Sequence, residues 1–523
     1  MFFDRTFHPD EANQAFTVGK LLETGRYTYK PTDHHGPTLY YAAAPLQRAF
    51  GHSTTAELDG TLLRCTPLVF GVLALVFGFL ALRKVLRRWF VPLLFVLALG
   101  TSPLFVFFAT DFIQETLLAS FFMMTLWTGT EYFMAKTHAA GGRVPHARLK
   151  PGTWALLFGI VCGLMFATKE TCVLSFAAAG LVGAPLLWFN RKILSIGTRD
   201  VVLAAAGFLL TSVLFFSSFA TDWTGVYNAF VAAPLSYFHR AAGDVASEGA
   251  AWHVHPWWQY LKWLFADNVV LCVFAICGFI SSPLLFAVPA ARRHLEPATR
   301  NAFVFLASYS ILLLVLYSLI PYKTPWCAVQ VLVALVPAAL LGLSALQQMN
   351  FASAVNVNVL FAKPPRSMAI SSYKPMVLLT AVLVFWGNVP SLWKMARDPD
   401  SKDIPYNYAH ASPEVKELAA VVAEAMRNAE KQPQGDGRQP PFIAVALPPT
   451  DTWPFPWYNR ALEAKTGYWT KFEDLVELEK TGSSPTVVIV PMTEGHLAQA
   501  LFPYLKNTKR FYIRPGVRAR VFW

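Results

Sequence analysis

Long apolar runs alternate with short polar clusters along most of this chain. Ten stretches approach or exceed the roughly 18 residues that mark a membrane-spanning helix. They lie at about 62–82, 90–109, 116–135, 152–168, 171–189, 201–220, 266–290, 302–320, 327–346 and 376–393. Each run is apolar all round, whereas a large soluble protein would need amphipathic helices with one polar face. Glu131 is the formal charge set furthest inside a run, and it sits near an end. The pattern predicts a polytopic α-helical membrane protein, with a bundle of about ten spans over residues 62–393.

The flanks read differently. Residues 8–24 have the spacing of an amphipathic helix: Pro9 suits its first turn, Asp10 and Glu11 suit its N-terminal dipole, and Gly25 suits its end. A second helical run goes from Thr38 to Phe50, with an apolar face suited to the membrane interface. Residues 1–61 are therefore expected to form an amphipathic first loop at the membrane surface. No apolar signal segment precedes residue 62, so the expectation is a late start with a further helix before it. Beyond 394 the chain mixes charges with strand-like runs, FIAVAL at 442–447 and TVVIVP at 486–491, and a helical stretch over Pro413–Lys431. The closing RFYIRPGVRARVFW predicts two strands about Pro515-Gly516. Residues 394–523 are thus expected to be an α/β domain.

Composition sharpens the picture. The 523 residues are 54% hydrophobic and 15% charged, against about 25% charged in ordinary soluble domains. A net charge of +12 would fit a nucleic-acid binder, but its placement speaks for topology instead. One alternate set of inter-span loops carries seventeen Lys and Arg, the other set four. By the positive-inside rule the basic set is cytoplasmic. The first loop, the 110–115 turn, Lys169-Glu170, the 221–262 loop, the 321–326 turn and the C-terminal domain then face outward. All six cysteines lie in or beside apolar runs, and no CxxC or zinc spacing occurs, so they read as small buried hydrophobes.

The unusual polar residues share the outward side: Asp10, Glu11, His34, His35, Asp111, Glu115, Lys169, Glu170, His239, Arg240, His253, His255 and Lys323. Ionisable groups at membrane depth are costly and mark sites by default. A transporter places such groups toward the bilayer midplane, where these helices are nearly uncharged. A site at the outer surface, fed by a lipid-borne substrate, fits better. Glycosyl transfer from a polyprenyl-phosphate sugar has matching needs. Its leaving group is already an anion and calls for cations, for which Lys169, Lys323 and the His34-His35 pair are candidates. Its acceptor hydroxyl calls for a base, which a carboxylate supplies. Alternatively Asp10, Glu11 and Glu115 would hold Mg²⁺ or Mn²⁺ through oxygen ligands.

Those residues carry a resemblance. The chain resembles the GT-C superfamily of membrane glycosyltransferases, in its protein mannosyltransferase-like and aminoarabinose-transferase-like branch. It is most similar to the "flippase activity-associated" family of archaea and bacteria. The likeness rests on HPDEA (8–12), HHGPTLYY (34–41), ATKE (167–170), HPWWQYL (255–261), YKTPWC (322–327) and WPFPWYNR (453–460), in order over nearly the whole chain. It implies a GT-C-like bundle with an extracytoplasmic α/β domain, in the cytoplasmic membrane of a cell with an envelope. It implies Asp10 as the catalytic acid with Glu11 beside it, and His34-His35, Lys169, Glu170 and Lys323 about the lipid phosphate and sugar. Relatives often read Ser/Ala-Arg-x-x-Arg-x-Asp in the second outer turn. Here the segment is ATDFIQE, with Glu115 at the acid position and neither arginine, which moves the expected phosphate contacts to Lys169 and Lys323. The expected partners are a polyprenyl-phosphate sugar, membrane lipid and a glycan, lipid or protein acceptor, with no nucleic acid. The competing expectation is non-enzymatic: a protein that binds or helps flip lipid-linked oligosaccharide, or a degenerate GT-C scaffold.

Overall fold

The computed structural model describes residues 2–31, 35–86, 89–140, 149–191, 196–236, 253–273, 275–276, 279, 297–348, 373–407, 410–432 and 439–523. The chain forms two compact units. The first unites Met1–Arg26, Tyr40–Leu63 and Met395–Trp523; the second unites Tyr27–Leu39 with Arg64–Lys394. Inside the first loop the chain changes unit at 26/27 and again at 39/40.

The second unit is helical. Helices α1 (Pro9–Thr24) and α2 (Thr38–Ala49) precede it or enter it, and α3 (Gly60–Val85) leads into the apolar region. There follow α4 (Phe90–Gly100), α5 (Pro103–Ala109), α6 (Glu115–Ala140), α7 (Pro151–Phe166), α8 (Cys172–Phe189) and α9 (Thr198–Phe216). After α10 (Trp223–Tyr227) and α11 (Gln259–Asp267) come α12 (Pro297–Leu319), α13 (Ala328–Gln348) and α14 (Tyr373–Arg397). Every expected span except 266–290, most of which lies outside the described residues, falls on these helices. Among the described residues five helices are long and apolar enough to cross a membrane, six if α4 and α5 count as one.

That pair corrects the reading of 90–109 as a single span, because the two helices meet at 67°. The reason is local: Pro103 cannot donate to the preceding turn and drives Ser102 to an extended ψ of 121°. By contrast, α7 and α9 pack backbone to backbone. A Cβ at Gly163 would stand 2.8 Å from the Phe208 carbonyl oxygen, and one at Gly207 would stand 2.6 Å from that of Leu156. Only glycine permits so close an approach, as in small-residue helix contacts within membranes. At the far end of α6 from Glu115, Glu131 pairs with Lys84 at 2.6 Å, and Lys136 with Asp200 at 3.1 Å.

The first unit holds a five-stranded mixed sheet in the order β2-β1-β3-β5-β4. Its strands are β1 (Ile443–Ala446), β2 (Thr466–Trp469), β3 (Val487–Pro491), β4 (Thr508–Arg514) and β5 (Val517–Phe522). The expected strands at 442–447, 486–491 and about Pro515-Gly516 are all present, and Gly516 supplies the turn's φ of 83°. On one face, Val415, Leu418, Val422 and Met426 of α15 (Glu414–Glu430) pack on Val445, Val487, Phe511 and Val521. On the other, Phe472, Leu475, Phe502 and Leu505 cover Ala444, Val488 and Phe522.

The N-terminal segment belongs to this unit through the WPFPWYNR stretch. Phe7 stacks on Trp457 at 4.6 Å, Phe16 meets Trp453 edge-on at 5.6 Å, and the Tyr458 hydroxyl accepts from the Phe7 N–H at 2.8 Å. Arg460, stacked over Trp457, donates to the Leu58 carbonyl at 2.7 Å. The aromatic motif thus seats the first loop.

Candidate functional site

In the first unit the two acids of HPDEA take different environments. His8 caps α1: its Nδ1 accepts from the Asp10 N–H at 3.1 Å, and its own N–H donates to Glu11 Oε2 at 3.0 Å. This reciprocal box fixes the helix start, and it holds Glu11 wholly buried. Asp10 faces the other way. Its side chain is 50% exposed, its carboxylate lies 3.8 Å from His8 Nδ1, and among the described residues it accepts no hydrogen bond. One acid builds the helix end and the other keeps a half-exposed carboxylate.

In the second unit the remaining candidates gather from turns far apart in sequence. The Tyr27–Leu39 segment is fastened to the turn between α7 and α8. Tyr29 donates to Glu170 Oε1 at 2.7 Å, and His35 Nδ1 lies 2.9 Å from Glu170 Oε2. The Thr38 N–H donates to the Ala167 carbonyl at 3.2 Å, and its hydroxyl to Thr168 Oγ1 at 2.8 Å. Tyr27 donates to the His35 carbonyl at 2.6 Å. A Cβ at Gly36 would overlap the Ala167 carbonyl oxygen, so the glycine of HHGP lets the two backbones touch. Burial alone would raise the Glu170 carboxyl, but His35 and the Tyr29 hydroxyl hold it down at about 2.

Lys169 turns the other way. Its ammonium donates to Glu115 at the start of α6, with both side chains buried. Burial would lower the lysine, but the charge and hydrogen bond of Glu115, together with the neighbouring Cys327 and Glu170, outweigh it and hold the ammonium above its ordinary range. Gln330 of α13 donates to the Glu115 carbonyl at 2.9 Å, and three residues earlier Cys327 meets Thr324 at 3.3 Å. This brings the 321–327 turn to the same region. There Lys323 is buried, and its Nζ donates to the carbonyls of His255 (3.3 Å) and Ile320. Its backbone N–H donates to the His253 carbonyl at 2.8 Å, while the His255 N–H donates to the Pro321 carbonyl at 3.2 Å. Burial lowers the Lys323 ammonium, and burial together with Lys323 lowers His255.

The two lysines therefore differ. Lys169 is neutralised by an adjacent carboxylate, whereas Lys323 is solvated by neutral carbonyls and makes no ion pair among the described residues. His34 lies outside the described residues, and Asp111 is buried in its turn. Within each unit, among the described residues, no three His, Cys, Asp or Glu side chains form a metal-binding group. Sequence reading passed over Tyr29, Gln330 and the wholly buried Arg64. Gln330 and Arg64 were discoverable as lone polar residues within or beside apolar runs. Tyr29, in the turn YTYK, gave no such signal.

No family model matches the chain. It is 28% identical over 221 residues to undecaprenyl phosphate-alpha-4-amino-4-deoxy-L-arabinose arabinosyl transferase 1 of Pseudomonas fluorescens, which is 42% of this chain and 33% of that protein. The chain thus spans about a third of the length of the curated relative it matches. In three dimensions it superposes on ArnT from Cupriavidus metallidurans bound to undecaprenyl phosphate, with a TM-score of 0.59 at 17% identity. That likeness covers 99% of this chain and 94% of the other. The fold is that of ArnT. The apo state of the same ArnT gives a TM-score of 0.55 at 16% identity. The chain is accordingly a multi-pass membrane protein with a GT-C fold and a C-terminal mixed α/β sheet.

Proposed function

We propose that this protein is a membrane glycosyltransferase that moves a sugar from a polyprenyl-phosphate donor to an acceptor at the outer face of the cytoplasmic membrane. The observation that carries the reading is Lys323: a buried ammonium, unneutralised by any carboxylate among the described residues, in a fold superposing along 99% of the chain on an ArnT bound to undecaprenyl phosphate. A buried cation lacking a counter-ion is costly, and a phosphate anion would relieve that cost. The skew of basic residues to one set of loops supports the outward placement of this end.

In the reaction, the bond from the anomeric carbon to the phosphate oxygen breaks, and its electron pair leaves with the polyprenyl phosphate. The acceptor oxygen bonds to that carbon and gives up its proton to a carboxylate. Asp10 suits the base, since its carboxylate is half-exposed and accepts no hydrogen bond among the described residues. Lys323 stabilises the phosphate as its charge grows. Lys169 and Glu115 neutralise each other, so together they hold three turns in place. Glu170 and His35 anchor the HHGP segment. Should Mg²⁺ or Mn²⁺ take part, the half-exposed Asp10 carboxylate is the acid placed to hold it, since the buried Glu11 and Glu115 are engaged by His8 and by Lys169.

The test uses purified protein in lipid, a panel of radiolabelled polyprenyl-phosphate sugars and a crude envelope acceptor fraction. Asp10→Asn is expected to reduce transfer by about 10²–10⁴-fold, the usual contribution of a positioned base. Undiminished transfer by that variant would remove Asp10 from the role. Tight binding of lipid phosphate with no transfer from any donor would favour a lipid-handling protein instead.

A further inference from the structure

The β4–β5 hairpin carries a charge pattern that the transfer reaction does not use. In this antiparallel pair Arg510 stands directly opposite Arg520, and Tyr512 opposite Arg518. Like charges directly opposed across a ladder are destabilising. Opposed residues share a face, so these three arginines and Tyr512 lie together on the face where Phe522 joins the core against Phe502 and Leu505. Lys402 reaches the same place, with its ammonium over the Tyr512 ring at 5.4 Å.

Other basic residues of the hairpin are paired. Lys509 bonds Glu417, and Arg514 bonds Asp451 at 2.7 Å. Arg510, Arg518 and Lys402 are exposed, and among the described residues none of them, nor Arg520, forms an ion pair with an acid. Arg520 donates to the Thr508 hydroxyl at 3.1 Å and lies over the Phe522 ring, which orients its guanidinium without neutralising it. The face thus carries four cations and one tyrosine, a residue type that favours the membrane–water interface.

Chain length ties the cluster to a bilayer. Helix α14 is one of the candidate spans, over Leu378–Arg397. Lys402 follows its last residue by only five positions, which limits it to about 18 Å from the helix end even if fully extended. We propose that the Arg510, Arg518, Arg520 and Lys402 face is a docking surface for the anionic headgroups of the membrane that α14 crosses. The phosphates neutralise the opposed arginines, and Tyr512 rests among the headgroups.

The test uses the full-length chain in nanodiscs, with a fluorophore on Thr508→Cys and a quencher on the lipid headgroup. With about 30 mol % anionic lipid, each surface arginine biases the face toward the bilayer by about fivefold at low salt. Quenching is expected to exceed that in purely zwitterionic discs and to fall as salt shortens the screening length. Replacing Arg510, Arg518 and Arg520 with Gln should abolish the difference between the two disc types. Replacing all three with Lys keeps the charge and should preserve it, which separates lost contact from lost fold. Equal quenching in both disc types, or in wild type and the Gln variant, would overturn the proposal. So would a fluorophore response to soluble tripolyphosphate with none to the anionic discs.

Discussion

The Glu115–Lys169 pair makes a quantitative demand on the helical unit. Both side chains are almost fully buried, at 2% and 6% exposure, so each charge depends on the other for compensation. Removing one partner of such a pair leaves an uncompensated buried ion and costs about 3–5 kcal/mol. Lys169→Met should therefore lower the apparent Tm by about 6–10 °C, at the ~2 °C per kcal/mol of a large domain, and Glu115→Gln by a similar amount. Replacing both together removes both desolvation costs with the attraction, and the double variant should recover most of the loss. Thermal unfolding of the purified protein in one detergent, followed by intrinsic fluorescence, measures all four corners of the cycle. Near-additive losses in the double variant would refute the pairing, because independent sites add and coupled ones do not. The cycle also separates positioning from chemistry: if Lys169 binds donor phosphate directly, the double variant recovers its Tm yet fails to bind polyprenyl phosphate.

Four further outcomes follow from described contacts. The Glu170 carboxyl titrates at about 2 when folded against 4.5 when free, so its contribution is complete above pH 4.5 and fades as pH falls toward 2; Glu170→Gln should flatten that limb of an acid-unfolding curve. Gly36→Ala should cost about 1–3 kcal/mol, because the new methyl overlaps the Ala167 carbonyl; proteolysis within the 27–39 segment reports the loosening. Trp457→Ala removes the stack on Phe7 and should cost about 3–5 kcal/mol, freeing the N-terminal residues for cleavage while α14 remains intact. Lys323→Gln should weaken polyprenyl-phosphate binding at least about tenfold, since a hydrogen bond to a charged group is worth about 1.5–3 kcal/mol; unchanged binding by scintillation proximity would argue against the phosphate assignment.

Features governed by neighbours in sequence were legible. Pro9 and Gly25 bracket α1 as expected, with Gly25 at φ 68°. The apolar runs located the helices, and the short apolar runs FIAVAL and TVVIVP located β1 and β3. Strand β2, TGYW, escaped because it contains a glycine and lacks an alternating apolar pattern. The bend at Thr101-Ser102 escaped because hydropathy averages over a proline that interrupts the hydrogen-bond ladder.

The acids and bases of the site were recognisable as anomalies, but their pairing was not. Glu115 lies 54 residues from Lys169, and Glu170 lies 135 from His35, so their contacts depend on how helices pack. Packing changed the roles as well. In sequence both Lys169 and Lys323 were candidates for the phosphate; in the structure Lys169 is buried against Glu115, while Lys323 makes no ion pair among the described residues.

The division of the first loop has a consequence for biosynthesis. The sheet-bearing unit is discontinuous: its opening pieces end at Leu63 and its remainder begins at Met395. A ribosome working at about 5–20 residues per second needs on the order of half a minute to bridge that gap. For that interval Phe7 and Phe16 have no Trp457 or Trp453 to meet. The newly made Phe7–Phe16 segment is therefore a client in waiting, most exposed to proteases and holding chaperones while the spans are inserted. A C-terminal fragment expressed from Met395 would carry the complementary wound, a bare aromatic seat at Trp457.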